Sequence, residues 1–140
     1  MKKSLLTLLT VTFLTARSSS LLSAEPPEFK WLAVEIDQIE IGYGLQMTDV
    51  NGDGKTDIVL ADKKTFQWYE APSWKKHIIA RDLTVRDNVC ITARDIDGDG
   101  KCEIAVGGQW NYRESRKDGA VFYLIPPKDR TTLWTPVRLH

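Results

Sequence analysis

Asp49, Asn51 and Asp53 fall at alternate positions in Asp49-Val50-Asn51-Gly52-Asp53-Gly54-Lys55-Thr56-Asp57, and the run then ends on the apolar Ile58-Val59-Leu60. The pattern returns 46 residues later as Asp95-Ile96-Asp97-Gly98-Asp99-Gly100-Lys101-Cys102-Glu103, again followed by an apolar run, Ile104-Ala105-Val106. Side-chain oxygens at positions 1, 3, 5 and 9, with the backbone carbonyl of position 7, can wrap a hard cation that takes several oxygen ligands at about 2.3–2.6 Å. The candidate ligands are Asp49, Asn51, Asp53, Asp57 and the Lys55 carbonyl in one copy. In the other they are Asp95, Asp97, Asp99, Glu103 and the Lys101 carbonyl. Acidic glycine-rich turns are common singly, because Asp and Gly tolerate tight backbone bends. Two copies in register are a stronger signal, and the four acids of the second copy would repel one another without a cation, each pair at ~4 Å costing on the order of 1 kcal/mol in water. Calcium is the ion this donor set suits.

Each loop must be held by something other than helices. An EF-hand closes on a bidentate Glu at position 12 and continues into a helix, whereas position 12 here is Leu60 or Val106. The residues that follow are β-branched or small and apolar, as in strands. Short runs of this kind recur between turn residues throughout the chain, which predicts an antiparallel meander with little helix outside the N-terminal stretch. Within the first unit they are Trp31–Ile36, Tyr43–Met47, Ile58–Ala61 and Thr65–Tyr69. In the second they are Trp74–Ile79, Asn88–Ala93, Ile104–Gly107 and Ala120–Ile125. Trp31, Trp74 and Trp134 each open a strand of similar template, at separations of 43 and 60 residues, a period that signals solenoids, propellers or arrays.

The 140 residues have equal numbers of basic and acidic side chains, 42% hydrophobic content and five Trp, the composition of one ordinary globular unit. No basic stripe interleaved with aromatics points to nucleic acid. Lys2, Lys3, the apolar run Leu5–Leu14 and the small residues up to Ala24 read as a signal peptide over 1–24. The apolar run is too short to span a bilayer, which takes about 20 residues. The expected location is therefore secreted, periplasmic or at the cell surface. Cys90, well inside a strand, should oppose a residue near 106–108, so it is not expected to meet Cys102 in a disulfide.

The motif D-x-[DN]-G-D-G-x-x-[DE]-I-x-[VL], at 49–60 and 95–106, resembles the FG-GAP/VCBS repeat of integrin-alpha-like β-propellers of secreted bacterial type. The resemblance covers about residues 30–140. It implies an all-β partial propeller of about two four-stranded antiparallel blades plus the first strand of a third, each blade holding calcium. The blades are expected at 31–70 and 74–125, within a segment 25–140, with the next beginning at 134–140. Two blades cannot close a ring that takes about four to eight, so further blades in cis or self-association should cover faces carrying Trp31, Ile58, Leu60 and Ile104.

No catalytic residue is assigned. His77 stands where the matching strands have Val34 and Val137, and no convergent partner accompanies it. The stretch Trp68 to His77 also resembles repeats of aldos-2-ulose dehydratase-type propellers, which implies an alternative: the N-terminal part of a carbohydrate-active enzyme with its catalytic residues elsewhere. Trp110 and Tyr112, in the connection between the last two strands of the second unit, are the candidate contacts to a carbohydrate or protein ligand.

Overall fold

The computed structural model describes residues 28–140 apart from Ser115; the signal peptide expected at 1–24 lies outside the described residues. Eight strands follow in order: β1 (Gly44–Thr48), β2 (Asp57–Ala61), β3 (Thr65–Glu70), β4 (Lys75–Arg81), β5 (Asp87–Arg94), β6 (Glu103–Trp110), β7 (Ala120–Ile125) and β8 (Thr135–Arg138). They form two four-stranded antiparallel sheets in sequential order, β1-β2-β3-β4 and β5-β6-β7-β8, with no helix among the described residues. The all-β architecture of two four-stranded blades is as expected, and none of the described segments is a helix able to cross a membrane.

The grouping of strands differs from expectation by one strand. Trp31–Ile36 forms no strand. The Trp74-led strand pairs with β3, through Trp68↔His77 and Tyr69↔Lys76, and so closes the first blade instead of opening the second. Thr135–Arg138 likewise pairs with β7 and closes the second blade, so it does not begin a third. Two of the three copies of the shared W-x-x-V-x-I template, those led by Trp74 and Trp134, thus lead into the last strand of a blade. A sequence period fixes the length of a repeat but not which strand comes first, and short turns let a strand pair with either neighbour.

The sheets share one core. Val59, Ala61, Phe66, Trp68 and Ile79 of the first meet Ile91, Ile104, Val106, Phe122 and Leu124 of the second, with Val50, Cys102 and Trp134 closing the loop end. Leu60 and Ile104, expected to wait exposed for absent neighbours, are buried, while Ile58 is half-buried. Polar contacts stitch the sheets at their edges. The Ala93 N–H donates to Gln46 Oε1 at 2.6 Å, the Asn88 amide donates to the Asp62 and Thr65 carbonyls, and the Trp134 N–H donates to the Ile79 carbonyl. Cys90 pairs with Gly107, inside the expected window, and both thiols are free.

On the other face of the first sheet, residues 36–43 are tied down by two carboxylates. Asp62 accepts the N–H groups of Glu40, Ile41 and Gly42, and Asp37 accepts from the Tyr69 hydroxyl and Lys76, both at 2.7 Å. Among the described residues the second sheet has no such cover on its outer face, where Val121, Ile125 and Val137 are exposed.

Candidate metal centre

The two acidic loops join β1 to β2 and β5 to β6, so each hangs between two hydrogen-bonded strands. Their internal bonding is the same, residue for residue. The position-1 carboxylate accepts two glycine N–H groups: Asp49 from Gly52 and Gly54, both at 2.7 Å, and Asp95 from Gly98 at 2.7 Å and Gly100 at 2.9 Å. Position 3 accepts from position 5, as Asn51 from Asp53 at 3.0 Å and Asp97 from Asp99 at 3.1 Å. Position 5 accepts from position 7, as Asp53 from Lys55 at 2.9 Å and Asp99 from Lys101 at 2.8 Å. These bonds run from side chains back to the N–H groups of the same loop, which requires the backbone to curl. Gly98, at φ +82° with open space around its missing Cβ, shows that conformation and not crowding selects glycine there.

Carboxylate oxygens of Asp95, Asp97 and Asp99 converge to within 4.8 Å of one another, all on exposed residues, and no other three carboxylate, imidazole or thiol groups among the described residues gather so closely. A carboxylate has about four lone-pair sites, so one N–H bond per oxygen leaves acceptor capacity directed inward. The set is all oxygen and suits a hard divalent ion such as calcium. In the first loop Asn51 replaces one charge and the Lys55 ammonium lies 2.6 Å from Asp53 Oδ2. That exposed contact holds the Asp53 carboxyl below, and the Lys55 ammonium above, their ordinary ranges. The Lys55 ammonium thus occupies Asp53 Oδ2 in the first loop.

Position 9 does something the sequence did not announce. Asp57 is fully buried, with Oδ2 accepting the Val50 N–H at 3.0 Å and Oδ1 accepting the Ala71 N–H at 2.9 Å. Glu103 accepts the Ile96 N–H at 2.9 Å, so in both loops position 9 staples the N–H of position 2. Burial pushes the Asp57 carboxyl above its usual range, against the two N–H bonds that oppose the rise.

Arg130, in the connection before β8, had no sequence signal and touches both loops. Its Nη1 donates to the Val50 carbonyl at 3.1 Å and to the Cys102 carbonyl, and Nη2 lies 3.8 Å from Glu103 Oε1. The guanidinium stacks over Trp134, and the Arg130 carbonyl accepts the indole N–H groups of Trp68 and Trp134. Burial raises the neighbouring Cys102 thiol to about 11, which keeps it unreactive.

Trp110 and Tyr112 do come together, with ring centroids 6.3 Å apart; Trp110 also meets Tyr43 at 5.9 Å, and Arg113 covers Tyr112. Trp110 belongs to the end of β6 and not to the loop, because β6 runs three residues past Gly107, where the expected strand ends. Beside it lies a cleft of about 150 Å³ lined by Asn111, Glu114, Asp118 and Gly119. His77 is buried, stacked on Trp68 at 4.6 Å and bonded to Glu70 at 2.9 Å.

No curated protein and no solved structure matches the chain. Residues 49–106, a span that holds both acidic loops and the whole of β2 to β5, match the model of the FG-GAP-like repeat family.

Proposed function

We propose that the chain is an exported, calcium-binding module of β-propeller type whose work is binding or scaffolding. The observation that carries the reading is the convergence of Asp95, Asp97 and Asp99 in a loop whose hydrogen bonds are repeated in the Asp49–Asp57 loop. Calcium would be held by Asp95, Asp97, Asp99 and the Lys101 carbonyl, and by Asp49, Asn51, Asp53 and the Lys55 carbonyl. Glu103 and Asp57 complete each set while bracing position 2. The burial of His77 against Trp68 supports a binding role over catalysis at that residue. The Trp110–Tyr112 surface, aromatic and flanked by amide and carboxylate groups, is the contact we assign to a carbohydrate or protein ligand.

A further blade or a second copy is proposed to pack on the outer face of the second sheet, and strand register supports this. In the first sheet the row Gln46-Val59-Trp68-His77 runs straight across four strands and is packed on the second sheet. The matching row in the second sheet, displaced by the same 46 residues in its first two members, is Thr92-Ala105-Tyr123-Val137, and among the described residues it is half-buried to exposed. The repeat therefore supports a neighbour on that face.

Thermal melts of the full chain with excess calcium and with chelator test the metal reading. An ion that binds only the folded loops adds about 2.7 kcal/mol at 100 times its Kd, a midpoint rise of roughly 10 °C. Superimposable melts would refute it.

A further inference from the structure

We infer that the two loops bind their ions as a coupled pair, with Arg130 as the coupling residue; this rests on the calcium reading above. The loops are not independent bodies. The Cys102 N–H of the second donates to the Asp49 carbonyl of the first at 3.2 Å, and the Lys101 stem lies so close over Gly52 that a Cβ there would meet its Cε at 2.7 Å. Arg130 joins them at three points: the position-2 carbonyl of the first loop, and the position-8 carbonyl and position-9 carboxylate of the second. Its side chain is only 10% exposed. Val50 is the hinge of this connection, since its N–H is held by Asp57 and its carbonyl by Arg130.

An ion in the first loop fixes Asp49, Asn51 and Asp53 and with them the peptide of Val50. Arg130 then has a fixed acceptor on one side, and its hold on the Cys102 carbonyl and on Glu103 orders the second loop before its ion arrives. The second ion meets a loop whose ordering cost has been met, which is positive coupling without a change of fold. The guanidinium also places a fixed positive charge between two acidic loops, so that neither depends on the other's ion for its neutralisation. By linkage the effect is reciprocal.

Calorimetric calcium titration of the full chain, of Asp53→Asn and of Asp99→Asn tests this. Each single-loop variant should weaken binding at the intact loop by the same factor, about 5-fold or more. Introducing Arg130→Met, or Arg130→Lys where the first does not fold, should bring that factor toward one. Two ions taken up with affinities indifferent to the state of the other loop would overturn the coupling while leaving the calcium reading intact. A factor unchanged by substitution of Arg130 would overturn the role of that residue, and uptake of no ion would overturn both readings together.

Discussion

Gly52→Ala and Gly98→Ala change the same position of the two loops, yet they should differ sharply, because only one faces the other loop. Both glycines have φ near +80°, at +81° and +82°, where a Cβ costs about 1–2 kcal/mol, partly offset by the smaller entropy of an unfolded Ala, about 0.4–1 kcal/mol. At Gly98 nothing lies within 4 Å of the added atom, so the net cost is about 1 kcal/mol. At Gly52 the new Cβ lands 2.7 Å from Lys101 Cε and 2.8 Å from its Cγ. The stem near its root has little freedom to withdraw, and relieving such an overlap adds about 1–3 kcal/mol. In chelator, where metal plays no part, Gly98→Ala should lower the melting midpoint by about 4 °C and Gly52→Ala by about 10 °C. Lys101→Ala removes the offending atoms and should by itself be nearly neutral, within about 0.5 kcal/mol as for most surface changes. In that background Gly52→Ala should cost no more than Gly98→Ala. The cycle isolates the contact between loops as an interaction energy of about 1–3 kcal/mol. Equal costs for the two alanines, or no rescue by Lys101→Ala, would mean that the loops do not touch through Lys101.

Asp62→Ala should cost about 2–3 kcal/mol in urea denaturation at neutral pH by releasing residues 40–42 from the first sheet. Burial opposes ionisation of Asp62, but N–H bonds from Glu40, Ile41, Lys63 and Gly42 hold its pKa below the ordinary value of 3.8. A depressed carboxylate stabilises above its unfolded pKa and loses that contribution as pH falls through the folded one, so the deficit of the variant should shrink in strong acid; a deficit that grows there would refute the assignment. Tyr123→Glu, in the middle of the open row of the second sheet, should leave the fold cooperative and reduce association in light scattering, since a charge in a sheet-packing face cannot be desolvated cheaply. Unchanged association would mean that another surface carries it.

The two loops and the strands flanking them were legible because their signals are local. An Asp that accepts the N–H of a glycine three residues on makes its bond within the motif, so spacing alone specifies it, as for Asp49 with Gly52 and Asp95 with Gly98. The pairing of Cys90 with Gly107 was legible for a similar reason, since a hairpin centred on a known turn fixes its own register. The grouping of strands into sheets was not. Lys75–Arg81 has β3 on one side in sequence and β5 on the other, with short connections to both, and the chain pairs it with β3 through a tight turn in which the Trp74 N–H donates to the Glu70 carbonyl at 2.7 Å. The connection from β4 to β5 instead carries the chain from one sheet to the other, with the Asn88 N–H and amide holding the crossing to the carbonyls of Lys63, Asp62 and Thr65. Only a bond between distant residues separates the two groupings.

The same distinction explains what the motif concealed about the site. Position 9 reads as one more ligand because it is acidic at the correct spacing, and nothing in the spacing says that Asp57 would be fully buried with both oxygens given to N–H groups. Asp57 lies at the start of β2 and Ala71 in the turn after β3, so the bond between them exists only once β2 and β3 have paired. Arg130 is the more extreme case: it lies 80 residues from Val50 and 28 from Cys102, in a connection whose composition marks it as an ordinary turn. Its carbonyl is fixed by two indoles, Trp68 of β3 and Trp134 just before β8, while its guanidinium reaches both loops. A motif therefore reports which groups can approach an ion, while the residues that decide how firmly those groups are held come from wherever the packed sheets deliver a donor. Loop bonding repeated residue for residue makes two like loops, and a single arginine delivered between them makes the pair unlike two copies of one.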